Sequence, residues 1–177
     1  MNAFLHQLLA GLATGGIYAS VALALVMIYQ ATHHINFAQG EMAMFSTFIA
    51  WSLMQAGLPY WAAFVATVAL SFVLAAVVEF TVIRPMHDKP ALSVVVVFIG
   101  LLVIFHSLAG WLFGYTIKQF PSPFPSDAWF GSAMMSAHEM GAIGVTLLVV
   151  LLLFAFFRFT PLGLAMRAAA QNAASSR

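Results

Sequence analysis

Charge is what this sequence has least of. Only 6% of its 177 residues are Asp, Glu, Lys or Arg, five acidic and six basic. Soluble domains carry about 25%, so these few charges cannot build a water-facing surface, and a soluble globular enzyme is excluded. Cysteine is absent, which removes disulfide frameworks, thiolate metal sites and Cys nucleophiles together. The six basic residues are scattered and the net charge is +1, which leaves no phosphate-binding patch and no nucleic-acid partner. No Lys or Arg precedes Arg84, so the first apolar stretch lacks the basic n-region of a cleaved signal and is read as a retained span. A G-x-x-x-x-G-K-[ST] phosphate loop, a G-x-S-x-G elbow and an H-E-x-x-H helix are also missing. The chain is therefore expected neither to hydrolyse ATP nor to be an enzyme of these types, and no cofactor is expected.

What the sequence has is apolar length. Its hydrophobic fraction is 63% and its mean hydropathy +1.01. Residues 8–29, 42–58, 61–78, 91–117 and 140–157 contain no charge at all. A helix needs roughly 20 apolar residues to cross the hydrocarbon core, and backbone in lipid must pair internally, which favours helices. The windows do not alternate as barrel strands do. The expected fold is an all-α polytopic membrane protein with about five transmembrane helices, near 8–29, 42–58, 61–83, 91–117 and 140–158, followed by a cytoplasmic tail over 159–177. The second and fifth windows are short, which makes a re-entrant or tilted segment a candidate. Arg84, Lys89, Arg158, Arg167 and Arg177 fall on one side of this arrangement and Lys118 on the other, so the positive-inside rule puts the N-terminus and 118–139 outside, and 84–90 and the tail inside.

A few residues stand out against this background. Gly11, Gly15 and Ala19 are spaced four apart, as are Gly16, Ser20 and Ala24, and such stripes let helices approach closely. Intrachain packing is the favoured reading, with a path-lining helix as the alternative. The run Ile35-Asn36-Phe37-Ala38-Gln39-Gly40-Glu41 interrupts two apolar helices. Asn36 can cap a helix, Glu41 suits the positive end of the next helix dipole, and Gly40 allows a close approach or an unusual backbone angle. An ordinary capped turn and a broken helix at membrane depth whose free backbone ends bind substrate both fit. His106 lies inside the fourth window, where an ionisable residue is a functional candidate by default; the plainer reading is a neutral His bonded to a neighbouring helix. Glu79 is expected to reach the interface or to pair with Arg84 or Lys89. The adjacent His33 and His34 do not share a helix face, so no metal site is expected. Trp111, Tyr115, Trp129 and Phe130 fit an outer aromatic belt.

Together these residues resemble the permease subunits of branched-chain amino acid ABC importers, along nearly the whole chain. The resemblance begins at Gly11-Leu12-Ala13-Thr14-Gly15-Gly16-Ile17-Tyr18-Ala19. Its most specific element is Ile35-Asn36-Phe37-Ala38-Gln39-Gly40-Glu41-Met42, similar to the family's I-N-F-A-[HQ]-G-E. Glu79 followed by Arg84-Pro85-Met86 is similar to E-x4-R-P-L/M. Thr160-Pro161-Leu162-Gly163, with Arg167 and Asn172 beyond it, is similar to T-x-x-G-x-x-x-R-A. Three such motifs in order are a strong signal. The resemblance implies a subunit that moves substrate across the bacterial inner membrane by alternating access. Its implied partners are a second permease subunit, separate ABC ATPase subunits, a periplasmic substrate-binding protein and membrane lipid. It implies that Asn36, Phe37, Gln39, Gly40 and Glu41 line the substrate path, to which His106 is added as a candidate. Thr160, Gly163, Arg167 and Asn172 are implied to lie near the ATPase contact. Gly11, Gly15 and Gly16 are assigned to helix packing. Two departures are noted. Family members are longer, so this chain is expected to be an N-terminal portion, and His106-Ser107 stands where amides are expected. The alternatives are a small stand-alone secondary transporter or channel, for which no internal repeat is evident, and an intramembrane enzyme using His106, for which no nucleophile and orienter are evident.

Overall fold

The computed structural model describes residues 2–32, 34–86, 89–123 and 137–165. Every regular element among them is helical. The elements are α1 (Asn2–Thr32), α2 (Gln39–Gln55), α3 (Tyr60–Val78), a π-helical turn (Glu79–Ile83) running into a 3-10 turn (Arg84–Met86), α4 (Ala91–Phe113) and α5 (Ala137–Phe159). Among the described residues, four stretches are long and apolar enough to cross a membrane: Ala10–Gln30, Tyr60–Met86, Ala91–Phe113 and Met140–Phe159. The expectation of about five spans differs at α2, whose 17 residues reach only ~26 Å at 1.5 Å per residue, short of the ~30 Å hydrocarbon core.

The chain divides into two compact units. In the first, α1 packs on α5. In the second, residues 34–120, α2 packs on both α3 and α4. Its core is built from Ala38, Val78, Val94, Phe98, Leu101 and Phe105, with Met42, Phe45 and Leu74 packed against them. Residues 94, 98, 101, 105 and 109 form one face of α4 at helical spacing, and all are buried. Outside that face α4 is apolar and exposed, as Leu92, Val96, Val103 and Trp111 show, which suits contact with lipid. Lipid tails are as apolar as Leu, so this core is held by close packing and internal hydrogen bonds rather than by a drive to escape water. One such bond joins α3 to α2, from Ser71 Oγ to Ser46 Oγ at 2.8 Å.

The joints follow local chemistry. After α2, Gly57 adopts φ 98°. The Leu58 N–H reaches the Leu53 carbonyl at 3.1 Å and the Gly57 N–H the Met54 carbonyl at 3.0 Å. This is a Schellman cap, which ends α2 and satisfies its last carbonyls, and Pro59 then opens α3. The window at 91–117 is helical only to Phe113, because Gly114 turns to φ 77° and the Tyr115 ring folds back onto Gly110 where a Cβ would stand. Glu79 makes no ion pair among the described residues. Arg84 lies instead over the Phe80 ring, 5.6 Å from its centroid.

Candidate functional site

The interruption before α2 is a built structure. Asn36 Oδ1 accepts the Ala38 N–H at 3.0 Å, and the Asn36 carbonyl accepts the Gln39 N–H at 3.2 Å. The side-chain cap therefore sits two residues ahead of the helix, while Ala38, the residue flanking α2, supplies no side-chain bond itself. Asn36 and Ala38 are buried, Ala38 completely. Irregular backbone at membrane depth is tolerated where protein covers it or where it lines a wet cavity, and here covering and bonding go together. Phe37 points outward, 45% exposed. Gly40 is helical, and a Cβ there would meet nothing within 4 Å; neither a close approach nor an unusual angle requires glycine within the described residues.

Two contacts fix the level at which α2 begins. Glu41 meets His106, 65 residues away, and Phe48 stacks on Phe113 with centroids 4.9 Å apart, at the same sequence offset. Helices α2 and α4 thus run parallel in constant register, which sets Gln39 beside Ile104. The middle of α4 (Ala91–Phe113) falls at Leu102, only ~3 Å of helix rise away. The antiparallel pairing with α3 through Ser46 and Ser71 agrees, since it brings the same level to Val78, a member of the core around Ala38. The N-terminus of α2 opens half-way along a membrane-length helix.

At that level a carboxylate meets an imidazole. Glu41 lies in the first turn of α2, where the helix dipole favours a negative charge. Its Oε2 is 3.3 Å from His106 Nδ1, with 24% of the Glu41 side chain exposed and 58% of the His106 side chain. With Glu41 ionised, Nδ1 must carry the hydrogen and donate it. His106 also lines a cavity of about 220 Å³ with Met44, Phe48 and the segment from Gly114 to Ile117. A second cavity of about 260 Å³ shares Met44 and Phe48 and is closed by Thr47, Trp51, Lys118 and Phe120. Residues 41, 44, 48 and 51 recur at helical spacing, so one face of α2 runs from the Glu41–His106 contact past both cavities.

The structure brings Asn36, Gln39, Gly40, Glu41 and His106 to this one region. Met44, Phe48, Trp51 and Lys118 were not singled out from sequence; the i, i+3, i+7 spacing from Glu41 was the available signal. Thr160 and Gly163 form a separate corner after α5. The Thr160 hydroxyl donates to the Phe156 carbonyl at 2.6 Å and accepts the Gly163 N–H at 3.0 Å, capping a short helical turn over 161–165 that has Pro161 at its first position. Gly163 presses on the end of α5, where a Cβ would stand 2.6 Å from Phe157 Cα. Arg167 and Asn172 lie outside the described residues. On α1, a Cβ at Gly16 would lie 3.1 Å from Thr146 Cγ2 of α5, whereas Gly11 and Gly15 meet nothing within 4 Å. Among the described residues no cluster of three His, Asp or Glu could hold a metal.

Long apolar helices, four of them of membrane-spanning length among the described residues, define a polytopic all-α membrane protein. Residues 7–177 match the family model described as branched-chain amino acid transport system, permease component. The chain belongs to that family. It is 27% identical over 183 residues to the high-affinity branched-chain amino acid transport system permease protein LivH of Escherichia coli K12, covering 96% of this chain and 59% of that relative. It is 28% identical to the corresponding permease protein BraD of Pseudomonas aeruginosa, covering 96% of this chain and 60% of BraD. The chain thus spans about 60% of the length of the curated relatives it matches. No solved structure matches it.

Proposed function

We propose that the chain is the path-forming part of an ABC importer permease for branched-chain or related amino acids in the bacterial inner membrane. The observation that carries this reading is the start of α2 at mid-depth of α4, with the Asn36-capped break and the pair of Glu41 with His106 beside two cavities. Helix N-termini and unpaired backbone at the bilayer midplane are what transporters use to hold substrate. The Glu41 carboxylate suits the ammonium of an amino acid, for which His106 is the resting partner. Substrate moves as the α2 break is exposed to one side and then the other. The energy comes from separate ABC ATPase subunits, and a second permease subunit and a periplasmic binding protein complete the assembly. The corner at Thr160 and Gly163, with Arg167 and Asn172 after it in sequence, forms part of the ATPase contact.

The test is uptake of labelled leucine by the complete transporter carrying Glu41→Ala or Asn36→Ala. The expected result is uptake reduced at least about tenfold for Glu41→Ala, the size of a lost charge-assisted hydrogen bond, with the complex still assembled. Normal uptake by both variants would refute the path role of the break. Flux of leucine through the purified chain without ATP or ATPase subunits would favour a stand-alone transporter instead.

A further inference from the structure

The cavity at the far end of α2 lies beyond the break. Met44, Thr47, Phe48 and Trp51 wall it from one face of α2, and Lys118 and Phe120 wall it from the extended segment after α4. Lys118 is half-buried. Its Nζ stands 5.0 Å from the centroid of the Trp51 ring, and it makes no ion pair among the described residues. The cavity is thus an apolar, aromatic space of about 260 Å³ whose wall carries one cation with no acidic partner among the described residues. A lone ammonium without a guanidinium fork or a cradle of amides suits a single carboxylate better than a phosphate. The four apolar walls suit a short hydrocarbon side chain. Ten residues separate Glu41 from Trp51, ~15 Å along the helix, whereas the ammonium and carboxylate of an α-amino acid sit on one carbon. One molecule cannot bridge both ends of α2, so each end holds its own charge station.

We infer that the cavity at Lys118 is an entry subsite on the extracytoplasmic side. There Lys118 Nζ donates to the α-carboxylate of an apolar amino acid, and the ligand's side chain lies against Met44, Phe48 and Trp51. The molecule then passes along the α2 face to Glu41, which takes its ammonium. This inference rests on the permease reading above.

Because the chain has no cysteine, Thr47→Cys sets a single thiol in the cavity wall. The experiment measures maleimide labelling of that thiol in the complete transporter, with leucine or with leucinamide, which lacks the carboxylate. Leucine transport is followed in the same preparation. The expected result is that leucine slows labelling and leucinamide does not. Lys118→Met should raise the half-protecting leucine concentration about tenfold or more, and Lys118→Arg should stay near the parent value. Leucine transport with an unprotected thiol, or protection unaltered by Lys118→Met, overturns the subsite and leaves the permease reading standing. Absence of leucine transport by the parent transporter removes the reading on which the subsite rests.

Discussion

The chain breaks its helices twice with the same chemistry, at 36–39 and at 160–163, and the two breaks differ in what surrounds them. In both, a short polar side chain satisfies backbone that the helix leaves free: Asn36 accepts the Ala38 N–H, and Thr160 accepts the Gly163 N–H. The first break is sealed among α2, α3 and α4, with Ala38 fully buried in their core. The second follows directly on α5 and its terminal Arg158, and among the described residues its tight contact is local, Gly163 against the end of the same helix. A break inside the protein sets a helix start in the core, beside Glu41 and His106. A break at a helix exit redirects the chain. The same capping motif thus serves opposite purposes, and depth decides which.

Substitutions sharpen that contrast, read as unfolding free energies of the purified protein in detergent. Gly163→Ala is expected to have the largest effect, about 3 kcal/mol of destabilisation, because the new methyl meets the backbone of Phe156 and Phe157 rather than a side chain that could rotate away. Asn36→Ala comes next at about 2 kcal/mol, since it strands the N–H of buried Ala38 away from water. Thr160→Ala should cost about 1 kcal/mol, the ordinary loss of an N-cap where water can substitute. If Asn36→Ala costs no more than Thr160→Ala, burial does not distinguish the two breaks. Gly40→Ala is the smallest change and has the opposite sign. A helical glycine with open space at its Cβ position should gain about 0.5–1 kcal/mol on becoming alanine. If that variant is more stable but imports less, glycine serves the path and not the fold.

Much of this was legible from sequence. Charge-free windows located the helices, and Asn36, Gly40 and Glu41 marked the interruption, because polar residues stand out in an apolar chain. His106 and Glu41 were each conspicuous as ionisable groups between apolar neighbours. Their partnership was not legible, because it spans 65 residues and depends on the parallel register of α2 and α4. Nor was the contact of Lys118 with the Trp51 ring, since one lysine in a loop looks like an interfacial anchor until the ring beneath it is known. The end of α4 was missed: the span was expected to reach residue 117, because the window stays apolar past Gly114, where the helix stops. Glu79 was expected to reach the interface or to pair with Arg84 or Lys89; Arg84 lies over Phe80 instead, a contact that no opposite charge announces.

The depth of the 36–39 break carries the whole account, and spin labelling measures it. Gly40→Cys accepts a label without a clash, since nothing stands within 4 Å of its Cβ position. Labels at Leu92 and Trp111, both strongly exposed near opposite ends of α4, provide the depth scale. Collision rates with oxygen and with a water-soluble nickel chelate are compared in bilayers. The label at residue 40 is expected to lie between the two reference depths, close to the middle of α4. A label as shallow as the one at residue 92, or shallower, would contradict it and reduce the break to an ordinary turn at the membrane surface.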